Sequence, residues 1–291
     1  MSITYEAHAT ATENSASSIT ITKPTGLAVG DIMVAFLCAS GAVFGSGKVF
    51  SLTGWTRLGG LFNTSFTDDG QNDYFVKIAD SSDVAASNFT FSFSGGTAAL
   101  NGSIHRLSSS EGGFSESIIS HSIDSDTGST TRTFTIGVTP GAANSMLLFD
   151  TWDDDQAATH SSYAVTTSNP TWTERLDQQN LNGVAHAVAT ATRPEVTNTG
   201  NATVVSTSSG DAFGTMISIG EIIDGSVTLD AANIEITAND FASITGDANV
   251  TLGVAQLTVT PNEITAAQAT PKWTNTSKTD TSPTITNVQK S

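Results

Sequence analysis

The segment FTFSF at residues 89–93 alternates phenylalanine with hydroxyl side chains, and the same period of two recurs in SITIT at residues 18–22 and FTIGV at residues 134–138. Because successive side chains of a strand point to opposite faces of its sheet, this pattern predicts half-buried antiparallel strands. Turn sequences follow at short spacing, such as PTG at residues 24–26 and PG at residues 140–141. Many short strands between such turns predict an all-β antiparallel sandwich with a jelly-roll-like character.

The chain is internally duplicated. GWTRL at residues 54–58 matches TWTERL at residues 171–176, and an apolar strand precedes each of them. Each copy also ends in a strand that begins with glycine, at residues 102–107 and 214–219. Five such features recur in the same order at an offset of roughly 110–120 residues, which indicates one duplicated unit.

The duplication predicts two related sandwich halves, residues 1–110 and 111–224, with about five strands in each. Two separate sandwiches and one shared sandwich both fit, and the short length of each half favours one pseudo-symmetric sandwich over residues 1–222. Within the first half, residues 80–87 predict a single helical turn. Residues 225–269 are a small β-rich extension with too few large apolar side chains for a core of their own, and residues 270–291 are a polar, extended tail.

Composition and charge exclude several classes of protein. Lys and Arg total 11 against 28 Asp and Glu, a net charge of -17 that repels phosphates and predicts no nucleic-acid partner. The apolar runs are too short for a membrane helix, and the first ten residues lack the basic start and apolar core of a signal peptide. Cys38 is the single cysteine, so no intrachain disulfide forms, and its apolar surroundings predict that it is buried.

The sequence contains no recognised catalytic motif. The five histidines do not have metal-ligand spacing, and neither a nucleophile elbow nor a phosphate-binding loop occurs. His105 and His186 lie in predicted strands and are expected to be structural. These observations predict a protein that is not an enzyme. A glycan-degrading enzyme with two carboxylates across a cleft remains the third-ranked alternative.

Two acidic clusters are candidates for calcium binding, because carboxylate-rich turns supply the oxygen ligands that calcium prefers. The candidate ligands are Asp68, Asp69, Asp73, Asp153, Asp154 and Asp155. Neither cluster has the spacing of an EF-hand, and a solvated acidic loop is the alternative interpretation. The sequence therefore predicts no cofactor other than calcium.

The tryptophans suggest different roles. Trp55 and Trp172 occupy equivalent positions in the two copies and are predicted to anchor the core. Trp152 lies beside the second acidic cluster, where it is a candidate for contact with a ligand. Trp273 lies in the polar tail, where nothing local can bury it, so it is expected to dock on another chain. The candidates for partner or assembly contacts are Trp152, Trp273, Ile285 and Val288.

Three segments together resemble a module of phage and prophage virion structural proteins. They are KPTGLAVGDIMVA at residues 23–35, GWT at residues 54–56 and VKIA at residues 76–79. The module has the pattern P-x-G-x-x-x-G-D, then GWT, then K-x-A; Thr53 departs from it, since a proline usually stands shortly before the Gly-Trp pair. The resemblance covers mainly residues 20–110 and extends through the duplication to about residue 222. The family has no known catalytic residues, so none is transferred.

The resemblance implies a non-catalytic virion accessory protein, either a capsid decoration protein, a head fibre or a tail component. It would assemble in the host cytoplasm, bind other virion proteins and form a homo-oligomer such as a trimer. A receptor- or carbohydrate-binding module of a tail fibre, with a host surface glycan as its partner, is the main alternative.

Overall fold

The computed structural model describes residues 3–64, 69–110, 113–181 and 183–221, together with two short strands further along the chain. Nearly all of its regular structure is strand, arranged as antiparallel sheets that pack against one another, which confirms the predicted all-β sandwich class. In the described residues, no helix combines the length and hydrophobicity that a membrane crossing requires.

The described residues of each half form eight strands rather than about five. The first half contains β1 (Ile3–Ala16), β2 (Ser18–Thr22), β3 (Ile32–Ser40), β4 (Phe50–Ser51), β5 (Thr56–Asn63), β6 (Gly70–Ile78), α1 (Ser81–Ala85), β7 (Asn88–Phe93) and β8 (Ala98–Ser109). The second half contains β9 (Phe114–Asp126), β10 (Thr131–Phe134), β11 (Ser145–Asp153), β12 (His160–Val165), β13 (Thr173–Leu181), β14 (Val184–Arg193), β15 (Ala202–Ser206) and β16 (Ala212–Glu221).

The two halves have the same topology. Each has a five-stranded sheet, in the order β1-β8-β3-β6-β5 in the first half and β9-β16-β11-β14-β13 in the second. Each also has a three-stranded sheet, in the order β2-β7-β4 and β10-β15-β12 respectively. The helical turn predicted for residues 80–87 is confirmed as α1, which Asp80 and Asp83 cap at its N-terminus through reciprocal hydrogen bonds.

The four sheets stack in four layers around three hydrophobic cores. In each half the three-stranded sheet packs on the outer face of the five-stranded sheet and encloses a core of its own. The third core lies between the inner faces of the two five-stranded sheets. Each half is thus a sandwich with its own core, and the prediction of one shared sandwich is wrong, because each half pairs a five-stranded with a three-stranded sheet. The third core joins the two sandwiches within one compact unit.

The central strands explain the long apolar runs. All nine residues of β3 are buried, because β3 has a packed layer on both faces. Val34 and Phe36 belong to the central core, whereas Ala35 and Leu37 face the outer sheet. The outer sheet differs, because its middle strand β7 alternates buried phenylalanines with exposed polar residues. A continuous apolar run therefore marks a strand that is covered on both faces, and an alternating pattern marks a strand with one face exposed to solvent.

The hydrogen-bond registers define equivalent positions in the two halves. Ile32 pairs with Ile78 and Leu107, and Met146 pairs with Thr192 and Ile219. The repeated glycines Gly102 and Gly214 pair with Leu37 and Thr151, which makes Ile32 and Met146, five residues earlier in each strand, equivalent. The other positions on β3, β6 and β8 follow by counting along β11, β14 and β16.

Residues beyond Glu221 lie outside the described part of the chain, apart from the strands Thr228–Leu229 (β17) and Thr251–Leu252 (β18), which pair in parallel in a second unit. The predicted extension at 225–269, other than these two strands, and the predicted tail at 270–291 fall on these residues. The assembly candidates Trp273, Ile285 and Val288 do so too.

We expect Gly214→Ala to lower the free energy of unfolding by about 1–3 kcal/mol, through overpacking. Gly214 and its equivalent Gly102 lie where a five-stranded sheet meets its outer sheet, and a Cβ at Gly214 would lie 2.5 Å from ring atoms of buried Phe134. Chemical denaturation would measure the effect. Gly220→Ala in the same strand is the matched control, because its Cβ would approach no closer than 3.0 Å to Ala142; equal losses in both variants would contradict the packing explanation.

Candidate functional site

The acidic candidates of the first half tie the long loop between β3 and β4 to β6. Asp69 accepts hydrogen bonds from the backbone amides of Phe44 and Gly45, each at 2.7 Å. Asp73 accepts one from the amide of Phe50 at 2.6 Å and pairs with Arg57 at 2.6 Å. Burial raises the pKa of Asp73, and the contact with Arg57 opposes this shift. Asp68 lies outside the described residues.

The acidic candidates of the second half surround a buried ion pair. Asp153 binds Arg132 at 2.7 Å, and both side chains are fully buried. Asp155 is exposed and its carboxylate accepts the amide of Ala157. Asp154 lies between these environments: burial, and then the charges of Asp153 and Asp211, raise the pKa of Asp154 to about 6.

These contacts bear on the calcium prediction. Among the described residues, no three His, Cys, Asp or Glu side chains come together as a group that could hold a metal ion. Asp69, Asp73 and Asp153 already accept hydrogen bonds from backbone amides or arginines. A calcium ion at these positions would have to displace those partners, and calcium binding therefore stays a prediction.

Trp152 is not available to a ligand or partner, contrary to the interpretation of its position beside the acidic cluster. Its side chain is fully buried in the central core, where it stacks on the ring of His186 at 3.6 Å between centroids and an interplanar angle of 3°. The reason is that β11 alternates: Trp152 lies on the same face as Met146 and Leu148, which point toward the other half.

The other two tryptophans of the described chain are structural. Trp55 is 8% exposed and packs against Phe89 and Phe91 in the core of the first half, as its repeated position predicts. Trp172 is partly buried and contacts Phe149 and Tyr163 in the second half. The repeated tryptophans therefore anchor equivalent sandwiches.

The inner faces of the five-stranded sheets contain a buried polar layer that the sequence motifs do not reveal. His186 Nε2 and Asp150 Oδ1 lie 2.7 Å apart, and both residues are fully buried. Burial raises the pKa of Asp150 and lowers that of His186. Both shifts have the same cause, since burial opposes a charge on either group.

Hydrogen bonds from this layer cross between the halves. Asn72 Nδ2 of the first half donates to Thr215 Oγ1 of the second at 3.3 Å. The side-chain amide of Gln178 on β13 donates to Thr10 on β1 at 3.2 Å. The polar layer therefore fixes how the two sandwiches are placed against each other, which apolar packing alone specifies less strictly.

A hydrogen-bonded chain runs from the polar layer to the surface. His105 contacts Ser103 Oγ through Nε2 at 2.9 Å and Tyr5 Oη through Nδ1 at 2.9 Å. Tyr5 Oη also contacts Nδ1 of exposed His8 at 3.1 Å, and the guanidinium of Arg175 lies 4.6 Å from the centre of the Tyr5 ring. Burial lowers the pKa of His105 to about 3, so its imidazole is neutral at ordinary pH.

The second half carries an open groove of about 620 Å³. It is lined by the loop at residues 168–171, by parts of β13 and β14 and by Pro194 and Glu195, and Arg175 is its basic residue. Ala191 and Thr192 line it at positions that hold the longer Lys77 and Ile78 in the first half. The groove thus offers hydroxyl groups, two prolines and one charge of each sign, a lining suited to a polar, hydroxylated ligand.

No family model, curated protein or solved structure matches this chain.

Proposed function

We propose that the protein is a non-catalytic structural accessory protein of a bacteriophage virion, acting by assembly and surface display as a capsid decoration protein, head fibre or tail component. The proposal rests on where the residues of the virion-like motif lie in the fold: they hold the sandwich together instead of lining a site. A motif that maintains a rigid body is what a module for assembly and display requires.

The P-x-G-x-x-x-G-D segment and the K-x-A segment bind each other. Gly30 N donates to the carbonyl of Ala79, and Ala79 N donates to the carbonyl of Asp31. The Asp31 carboxylate accepts from Ala28 N at 2.9 Å and from Arg106 Nε at 2.6 Å. The turn between β2 and β3 is thereby tied to the ends of β6 and β8.

The remaining motif positions also have structural partners. Lys77 pairs with Asp83 of α1 at 2.6 Å, and Gly54 adopts a positive φ of 84° in the turn before buried Trp55. Such a backbone conformation is easy only for glycine. The whole pattern therefore encodes turns and anchors of the first sandwich.

The charge of the protein suits display on a particle. A net charge of -17 makes copies repel one another and keeps crowded particles apart in solution. The expected partners are other virion proteins and further copies of the chain, and residues 226–291 supply the attachment or assembly element.

Purified particles of the phage that encodes this chain provide the direct test. We expect the chain to co-sediment with particles through a density gradient and to be detected on them by immunogold electron microscopy. An antibody against an internal capsid protein is the control for particle integrity, because it should not label intact particles. A chain that stays in the soluble lysate while particles are complete would overturn the proposal.

The solution mass tests the assembly role. Light scattering should report a homo-oligomer for the full chain and a folded monomer for a chain that ends at Gly225. If both are monomers, self-assembly through the C-terminal residues is wrong, and attachment would then have to involve a different virion protein.

The groove favours a second candidate function, the binding of a host surface glycan. Glycan arrays with the whole protein would detect such binding, and Glu195→Ala should weaken it by about tenfold if the carboxylate accepts a sugar hydroxyl. Glu13→Ala, an exposed carboxylate of the first half, is the matched control. Binding that is absent, or equally weakened by both changes, would exclude the groove.

A further inference from the structure

The contacts between the two five-stranded sheets follow a pseudo-two-fold symmetry. β1 and β9 are equivalent edge strands, and so are β5 and β13. Across the central core β1 meets β13, as the bond from Gln178 to Thr10 shows, and β5 meets β9, where Thr56 donates to Glu116 at 2.9 Å. Each of these contacts is the image of the other when the halves are exchanged.

One contact lies at the axis itself. Counting along β8 and β16 makes Ser109 and Glu221 equivalent, since Leu107 and Ile219 are. Ser109 Oγ donates to Glu221 Oε1 at 2.5 Å. Equivalent residues touch each other only where a two-fold axis passes between them, as in the isologous interface of a homodimer.

The central core has the composition of such an interface. Phe36 and Val76 come from the first half, and Leu148 and Ile217 come from the second. All four are fully buried. Stable homodimer interfaces resemble a domain core cut in half, and the two sandwiches already have separate cores of their own.

We propose that the inner face of each half is a docking surface whose partner is the other copy of the module within the chain, and that the chain is a covalently joined dimer of that module. This inference concerns the sandwich body and does not depend on the proposed virion role.

Residues at the centre of the interface make the pairing selective. The position of Asn72 is occupied by His186 in the second half, that of Phe36 by Asp150, and that of Cys38 by Trp152. The Asp150 carboxylate is close enough to Cys38 to add to the rise that burial causes in the pKa of the thiol.

Two second halves would therefore fit together poorly. The large Trp152 of one would stand where Cys38 stands, beside Asp150 of the other, and two buried carboxyls would share one layer. Two first halves would keep their contact, because Ser103 supplies a hydroxyl where Thr215 accepts from Asn72. In a pair of second halves, the clash of Trp152 and the buried carboxyl of Asp150 both disfavour association, so the second half binds the first half instead. Specific interfaces reject like pairs in the same way.

Cutting the whole, folded protein tests the docking surface. A protease site inserted between Ser110 and Gly113 opens the connection between the halves without touching either sheet. We expect the two fragments to remain a 1:1 complex with the mass of the uncut chain by native mass spectrometry and light scattering. Fragments that separate, whether folded or unfolded, would overturn the proposal.

Re-pairing tests the selectivity. A chain that ends at Gly225, and so lacks the proposed assembly element, is cut, unfolded in denaturant and refolded, and like and unlike pairs are counted by native mass spectrometry. We expect pairs of second halves to be at least about tenfold rarer than unlike pairs. The double change Asp150→Phe and Trp152→Cys introduces the residues of the first half and should raise the proportion of second-half pairs about tenfold.

A less disruptive variant keeps the test valid if the double variant fails to fold. His186→Asn introduces the first-half residue at one position, and circular dichroism of each uncut variant checks that it is folded. If the parent protein forms pairs of second halves as often as unlike pairs, the selective role of these residues is wrong. The same holds if folded variants leave the distribution unchanged.

Discussion

Arg132→Met should lower the free energy of unfolding by about 3–5 kcal/mol, because it leaves the Asp153 carboxylate buried without its charged partner. Arg132 and Asp153 are both 0% exposed and lie 2.7 Å apart, and the guanidinium also binds the carbonyl of Gly210. Ser206 is the other side chain that donates to the same carboxylate oxygen, at 2.9 Å. Urea denaturation of the whole protein would measure the loss.

Two further variants isolate the cause. Arg57→Met is the matched control in the first half: Arg57 is 36% exposed, and its partner Asp73 retains donors from Phe50 and Gln71, so the loss should be smaller. Adding Asp153→Leu to Arg132→Met removes the unpaired charge and should restore part of the stability. An equal loss in both arginine variants, or no recovery in the double variant, would contradict the explanation.

Lowering the pH should destabilise the protein through its buried histidines. Burial lowers the pKa of His105 from 6.5 to about 3, so the folded state binds fewer protons here than the unfolded state does. Its contribution to stability is complete above about pH 6.5 and is lost as the pH falls from there toward 3, at about 1.4 kcal/mol per pH unit. His186, whose pKa burial also lowers, acts in the same direction.

His105→Ile tests this dependence, because Ile217 is the residue at the equivalent position of the second half. Between about pH 4 and 6, the free energy of unfolding should rise less steeply with pH in the variant than in the parent protein. The difference in slope should correspond to about one proton fewer taken up on unfolding. Buried Asp150 has a raised pKa and acts in the opposite sense, so the comparison is between slopes of parent and variant. His8→Gln, at the exposed end of the same chain, should change the slope less; an unchanged slope in His105→Ile would contradict the prediction.

The joined-dimer architecture explains why an all-β protein of this kind carries acids and histidines in its interior. Asp150 and His186 contact each other, and neither is exposed. Hydrogen bonds offset part of their cost in desolvation and hold one arrangement of the two sandwiches. These buried polar groups therefore act in the fold as determinants of docking.

The sequence by itself determined the strand class and the repeat, although it predicted about five strands in each half where the described residues form eight. Alternation in segments such as residues 89–93, punctuated by glycine and proline turns, is sufficient for antiparallel strands, because the period of two and the turn geometry are local properties. The duplication predicted equivalent halves, and Trp55 could be assigned to a core from its repeated position. Cys38 could be assigned to the interior because it lies within a run of apolar residues that is buried in full.

Only the tertiary structure decided which face of each central strand meets the other half. β3 and β11 are covered on both sides, so alternation does not distinguish the inner face from the outer one. For that reason Trp152 resembled a surface ligand contact, although the period of two already placed it on one face with Asp150, Leu148 and Met146. The pairing of Asp150 with His186, 36 residues away, arises from the register of β11 with β14, which is a long-range property that no local pattern contains.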